Sequence, residues 1–321
     1  MAGSVVSVAK IENVLIRAGE CTVTMLPRAG GKIASIRIGE RELLQEPLAP
    51  IALRTRTMAF DESDASGWDE CLPSVAPCEV KTEAGIAEIP DHGDLWRVEW
   101  QPMVKEAHAV TYQGDCFSLP LRLERTLTLT EGETGWTLSL DYSVTNLSLE
   151  KVPWSWAAHP LFAVEEGDRI VLPESIASLR LEGSGGKRLG RSGDSVAWPM
   201  AMLWDGSRVD LRIADAPDSD IGDKLFAGPL RASENWCALE RPSAGLRIRI
   251  TFDVGATPYL GLWICYGGWP GRPGPKQVCV AMEPSTAPVD SLAVTGPWSR
   301  VLEPGDCFTW TMEVEIERIE R

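Results

Sequence analysis

Histidine is scarce in this chain: His92, His108 and His159 are the only three in 321 residues. The eight cysteines, at 21, 71, 78, 116, 237, 265, 279 and 307, include no Cys-x-x-Cys pair. Few histidines and scattered thiols exclude the usual zinc and haem signatures, and no metal or other cofactor is expected. In a chain of this length the thiols are expected to be free and buried rather than a disulfide framework. Basic charge is also in deficit. Lys plus Arg number 31 against 46 Asp plus Glu, a net charge of −15, which argues against nucleic acid and anionic membrane surfaces as partners. A small neutral ligand is compatible with that balance. No apolar run of eighteen residues is present, so no transmembrane helix is expected. The Met1–Lys10 stretch lacks a basic region followed by a sustained apolar one, so no signal peptide is expected and the cytoplasm is the expected location.

Other absences bear on the fold. No segment keeps apolar residues at helical spacing over a dozen positions. There is no repeat of fixed period and no low-complexity linker. Length alone would suggest two domains, but large β-sandwiches exceed 200 residues as one unit, so one domain spanning 1–321 is the expectation.

What the chain has instead is period-two alternation. Lys32–Ile38 alternates, turns at Gly39-Glu40 and returns through Arg41–Leu44 as a hairpin. Leu121, Leu123, Arg125, Leu127 and Leu129 share one face. Trp136, Leu138, Leu140, Tyr142 and Val144 share another, and Val209–Ile213, Leu246–Phe252 and Phe308–Ile316 repeat the pattern. Tyr259–Tyr266 and Val278–Met282 are continuous apolar runs, as in strands covered on both faces. Many short strands with Gly and Pro turns predict an all-β class, a large antiparallel sandwich or barrel.

Three residues stand out for chemistry. His159 follows Trp154 and Trp156 at a strand end, where it is either an acid or base near neutral pH or a core histidine with satisfied nitrogens. His92 lies between a proline turn and a glycine, in irregular backbone. Glu283 ends the apolar run Val278–Met282, where desolvation would raise its pKa toward that of a useful general base; the alternative is a strand terminus pointing to solvent. His108 reads as an ordinary strand-edge residue. The acidic stretch Asp61–Glu70 reads as a solvated loop, although it runs directly into apolar residues and long loops in compact domains often carry function. The Gly-rich segment 182–187 lacks P-loop spacing, and Ser184–Lys187 fits Ser-x-x-Lys without companion motifs, so a surface loop is expected. Thirteen tryptophans favour a carbohydrate ligand slightly, because sugar rings lie against indole faces.

Taken together, Gly30-Gly31-Lys32-Ile33-Ala34-Ser35-Ile36, Pro90-Asp91-His92-Gly93, Thr145-Asn146, Trp156-Ala157-Ala158-His159-Pro160, Glu283-Pro284-Ser285-Thr286-Ala287-Pro288 and Leu302-Glu303-Pro304-Gly305-Asp306 give an order of motifs that resembles the aldose 1-epimerase (galactose mutarotase-like) superfamily over nearly the whole chain. The resemblance implies a β-supersandwich and an isomerase that interconverts the α and β anomers of a hexose. It implies Glu283 as general base, His159 as general acid and His92 as a sugar-binding residue, with a small-molecule sugar as partner. Trp68, Asp69, Lys224 and Trp263 are further candidates for contacting the sugar. Family members grip the sugar with an arginine that follows an asparagine; Arg54 and Arg56 lie nearby, but neither follows one. Two alternatives accompany this reading: a carbohydrate-binding protein without turnover, and an epimerase for a phosphorylated or sulfonated sugar that Lys224 or a loop arginine would bind. Sugar identity, anomer preference and oligomeric state are not legible.

Overall fold

The computed structural model describes residues 12–83 and 85–319. The Met1–Lys10 stretch lies outside the described residues. Among the described residues every ordered element is a β-strand or a three-residue 3-10 turn. Two large sheets dominate, one of eleven strands and one of eight, and the pairings between their strands are antiparallel. The chain therefore forms the large antiparallel β-sandwich that its alternation predicts.

The eight-stranded sheet is built on its longest pairings. Leu121–Glu131 and Gly135–Asn146 pair in register, with Leu123 opposite Val144 and Leu127 opposite Leu140. The second of these strands also pairs with Cys307–Arg318, setting Leu138 against Val314. Alternate residues on each strand are buried, so one face supplies core and the other meets solvent. These leucines, valines and isoleucines meet Ile33, Ile36, Phe162, Leu260, Leu262, Val280 and Met282 of the eleven-stranded sheet in one apolar cluster.

The eleven-stranded sheet differs because its central strands are covered on both faces. Tyr259–Tyr266 and Val278–Ser285 are almost wholly buried, as their continuous apolar runs predict. One reading of the sequence is corrected here. Trp68–Cys71 is a strand at the middle of this sheet, between Lys32–Ile38 and Ala157–Ala163, and all four of its residues are buried. Its charges do not mark solvent, because Asp69 and Glu70 each meet a cation from elsewhere in the chain. Two further details differ: His108 lies in an exposed turn, its Nδ1 2.8 Å from the Arg17 carbonyl oxygen, and the return strand of the first hairpin is shortened to Arg41–Glu42. All eight cysteines are free thiols, and Cys307 is exposed. Among the described residues no helix is long and apolar enough to cross a membrane.

Candidate active site

Side chains on neighbouring strands of a sheet line up in rows, and one row crosses the middle of the eleven-stranded sheet. Phe226 pairs with Gly261, and Gly261 with Glu283. Ala157 pairs with Ser285 and Leu161 with Ala281, which sets His159 opposite Glu283. His159 in turn pairs with Asp69. Glu283 and His159, far apart in the chain, therefore stand side by side on the face turned away from the eight-stranded sheet. Gly261 makes room for this: a β-carbon there would lie 3.1 Å from Glu283 Oε2 and 3.2 Å from the Phe226 ring.

His92 reaches the same place from a loop. It adopts φ +58, in the left-handed region that non-glycine residues seldom occupy. The loop is clamped there. His92 N–H donates to the Val75 carbonyl at 2.6 Å, and Arg97 donates to the carbonyls of Asp91 and Gly93, each at 2.6 Å. Gly93, at φ +69, passes so close to Leu72 that a β-carbon would fall 2.3 Å from its carbonyl oxygen. The His92 ring stacks on Phe60 at 3.7 Å and lies 5.0 Å from the His159 ring. Its Nδ1 is 3.0 Å from Asp91 Oδ2.

A cavity of about 190 Å³ opens between these groups, walled by Phe60, His92, His159, Lys224, Trp263 and Trp269, with Asp91, Gln277 and Asp290 at its polar side. Trp263 Nε1 donates to Gln277 Oε1 at 3.0 Å, which fixes the indole in the wall. Glu283 is fully buried behind Lys224. The lysine ammonium bonds Glu283 Oε2 and lies 3.6 Å from Asp290 Oδ1. Glu283 Oε1 and His159 Nδ1 are buried without a hydrogen-bond partner. Both atoms therefore keep hydrogen-bonding capacity, and His159 lines the cavity while Glu283 lies behind Lys224.

The electrostatics follow from burial. Desolvation raises the Glu283 carboxyl above its ordinary value, and Lys224 opposes that rise. His159 is pushed well below its ordinary value by desolvation first, then by the charges of His92, Lys224 and Lys32. Lys224 is held above its ordinary value: desolvation works against its charge, but Asp290 and Glu283 outweigh it. The resting site thus holds a lysine cation and a neutral imidazole beside the carboxyl.

The sequence candidates divide between this site and the interior. His159, His92, Lys224 and Trp263 line the cavity, and Glu283 lies behind Lys224. Trp68 does neither. Its indole is in the core between the sheets, on the opposite face of its strand, because a strand side chain one position from Asp69 points the other way. Asp69 faces the His159 side but is engaged by Lys32 at 2.6 Å, and Lys32 also meets Asp64 at 3.2 Å. Arg54 is spent on Asp64 at 2.5 Å, so neither it nor Arg56, stacked over Phe117, lines the cavity. Trp154 and Trp156 belong to the core with Tyr142 and Trp310. Phe60, Trp269, Gln277, Asp91 and Asp290 were not singled out by sequence. Asp91 adjoins His92, and Trp269 lies in the Gly- and Pro-rich segment 267–275; the others carried no signal. Among the described residues no group of three or more His, Cys, Asp or Glu side chains is placed to hold a metal ion.

The architecture is that of the galactose mutarotase-like fold. A protein from Synechocystis sp. PCC 6803 superposes with a TM-score of 0.71 at 14% identity, over 99% of this chain and 100% of that one. A galactose mutarotase related enzyme from Lactobacillus acidophilus gives 0.68 at 15% identity, over 96% and 98%. A galactose mutarotase-like protein from Lactobacillus casei gives 0.66 at 18% identity, over 95% and 100%. Neither a family model nor a curated protein sequence matches the chain.

Proposed function

We propose that this chain interconverts the anomers of a hexose or a closely related sugar by acid–base ring opening. The observation that carries the reading is the pairing of Glu283 and His159 on adjacent strands beside one aromatic-walled cavity, each with an orphaned polar atom. Glu283 takes the proton of the C1 hydroxyl as His159 gives one to the ring oxygen. The C1–O5 bond breaks and the electron pair of the C1 oxyanion forms the open-chain carbonyl. Rotation about C1–C2 presents the other carbonyl face, and reclosure with the two roles exchanged yields the second anomer. Protons and electrons balance over the cycle. His92, held over Phe60, binds a sugar hydroxyl, and Trp263 and Trp269 offer apolar faces to the ring. The depressed proton affinity of His159 makes its protonated form a stronger acid and a rarer one.

The test is anomer exchange followed by polarimetry or NMR on a panel of free hexoses. Glu283→Gln and His159→Asn are each expected to lower the rate by roughly 10²–10⁴-fold. Unchanged rates in both would sink the mechanism. The indole walls also favour a second reading, a sugar-binding protein without turnover. It predicts thermal stabilisation by sugar, lost in Trp263→Ala, with no exchange above the uncatalysed rate.

A further inference from the structure

Among the described residues Lys224 is the lysine or arginine that lines the cavity, and it is flanked by carboxylates on both sides. Its ammonium bonds Glu283 Oε2 and stands 3.6 Å from Asp290 Oδ1. Its side chain is 10% exposed and that of Glu283 is not exposed at all. Asp290 is anchored by its own backbone, whose carbonyl accepts from the N–H groups of Val75 and Ala76 at 3.0 and 2.8 Å. Asp91 adds a further carboxylate to the cavity wall. Among the described residues no arginine lines this cavity: Arg54 is paired with Asp64, Arg97 is bonded to backbone carbonyls, and Arg188 is paired with Asp223.

We propose that Lys224 is a positioning residue for the base, occupying Glu283 Oε2 so that Oε1 alone is free to take a proton, and that the site consequently selects an uncharged sugar over a phosphorylated or sulfonated one. This rests on the ring-opening reading given above and assigns its substrate class. A receptor for an anionic group needs a cation whose charge is not already offset by neighbouring carboxylates. Lys224 has two carboxylates within 4 Å, and Asp91 faces the same space, so a sugar phosphate entering the cavity would meet more negative than positive charge.

The groups around Glu283 set the expected pH behaviour. Lys224 faces it from Ile221–Ala227, His159 from Ala157–Ala163 and Cys71 from Trp68–Cys71. Asp290 and His92 face it from loops, and Cys279 lies on its own strand. Asp69, next in the row, is already paired with Lys32. Lys224 lowers the proton affinity of both Glu283 and His159, so removing its charge raises both. Asp290 raises that of Glu283, so removing its charge lowers it.

The experiment measures the pH–rate profile on a neutral hexose for the wild type, Lys224→Met, Lys224→Arg and Asp290→Asn, alongside calorimetric titration of the wild type with glucose and with glucose 6-phosphate. Lys224→Met is expected to move both limbs of the profile to higher pH by about one unit, which is about tenfold in rate on the acid side. Lys224→Arg is expected to restore the profile's position, and Asp290→Asn to move the acid limb to lower pH; these two serve if the methionine variant does not fold. The neutral sugar is expected to bind more tightly than the phosphate. Limbs that stay in place in Lys224→Met, or tighter binding of the phosphate, would overturn the proposal. A fully active Glu283→Gln would instead overturn the ring-opening reading, while the titration would still decide the charge class.

Discussion

Glu70 and Glu283 are both fully buried carboxylates on the eleven-stranded sheet, each facing one cation. They point to opposite faces of that sheet, and their surroundings differ in one respect. Glu70 is saturated: Arg125 donates at 2.7 Å and Tyr142 at 3.0 Å to Oε1, and Trp156 at 2.9 Å to Oε2. Arg125 lies over the Trp100 ring, so the pair is enclosed by aromatic surface between the sheets. Glu283 has one oxygen held and the other orphaned beside a cavity. A fully bonded buried charge fixes a structure; one with bonding capacity left over can change partners during a reaction.

The sharpest way to break this comparison is to neutralise each carboxylate's function in turn. Glu283→Gln is expected to lower the exchange rate by roughly 10²–10⁴-fold, with a smaller stability loss than Arg125→Met because Asp290 remains beside Lys224 to offset its charge. Arg125→Met is expected to do the reverse. Leaving Glu70 buried without its cation costs about 3–5 kcal/mol of unfolding free energy, read by denaturant titration, while kcat per folded molecule stays near wild type. Equal loss of activity in both variants would mean that the two sites are one network.

The pH dependence sharpens the contrast further. A base must have lost its proton and an acid must hold one. Burial raises the Glu283 value from 4.5 and lowers that of His159 from 6.5, so the two limbs approach each other. The rate profile is expected to be bell-shaped, falling on the alkaline side from below pH 6.5 as His159 loses its proton. A broad plateau through neutral pH would contradict the assignment of His159 as the acid. The smallest effect is expected from Gly261→Ala. Its new methyl would press on Glu283 Oε2 and Phe226, lowering kcat more than it changes KM, with a stability cost at the lower end of about 1–3 kcal/mol.

Much of the architecture was legible because one-sided burial leaves a period of two. Leu121–Glu131 and Gly135–Asn146 read as strands from their leucines and tryptophan alone, and they are strands. Trp68–Cys71 was not legible. A strand covered on both faces has no alternation, and Asp69 and Glu70 look solvated until Lys32 and Arg125 are seen to meet them. The candidate site was partly legible. His92 and Glu283 carried local signals, a proline–glycine frame and an apolar run ending in an acid, and the order of motifs brought His159 to join them. Asp290 and Gln277 carried none, and Lys224 was read as a sugar-contacting residue where the fold gives it two carboxylate partners.

The amino-acid sequence by itself determined the all-β class, the faces of the one-sided strands and a short set of residues suited to acid–base chemistry, because each depends on neighbours within a few positions. Only the tertiary structure decided that Trp68 is core, that Glu70 is saturated and Glu283 is not, and that Lys224 is paired with Glu283. Burial and ion pairing are set by residues distant in the chain, and those meet only when the strands take their places in the sheet.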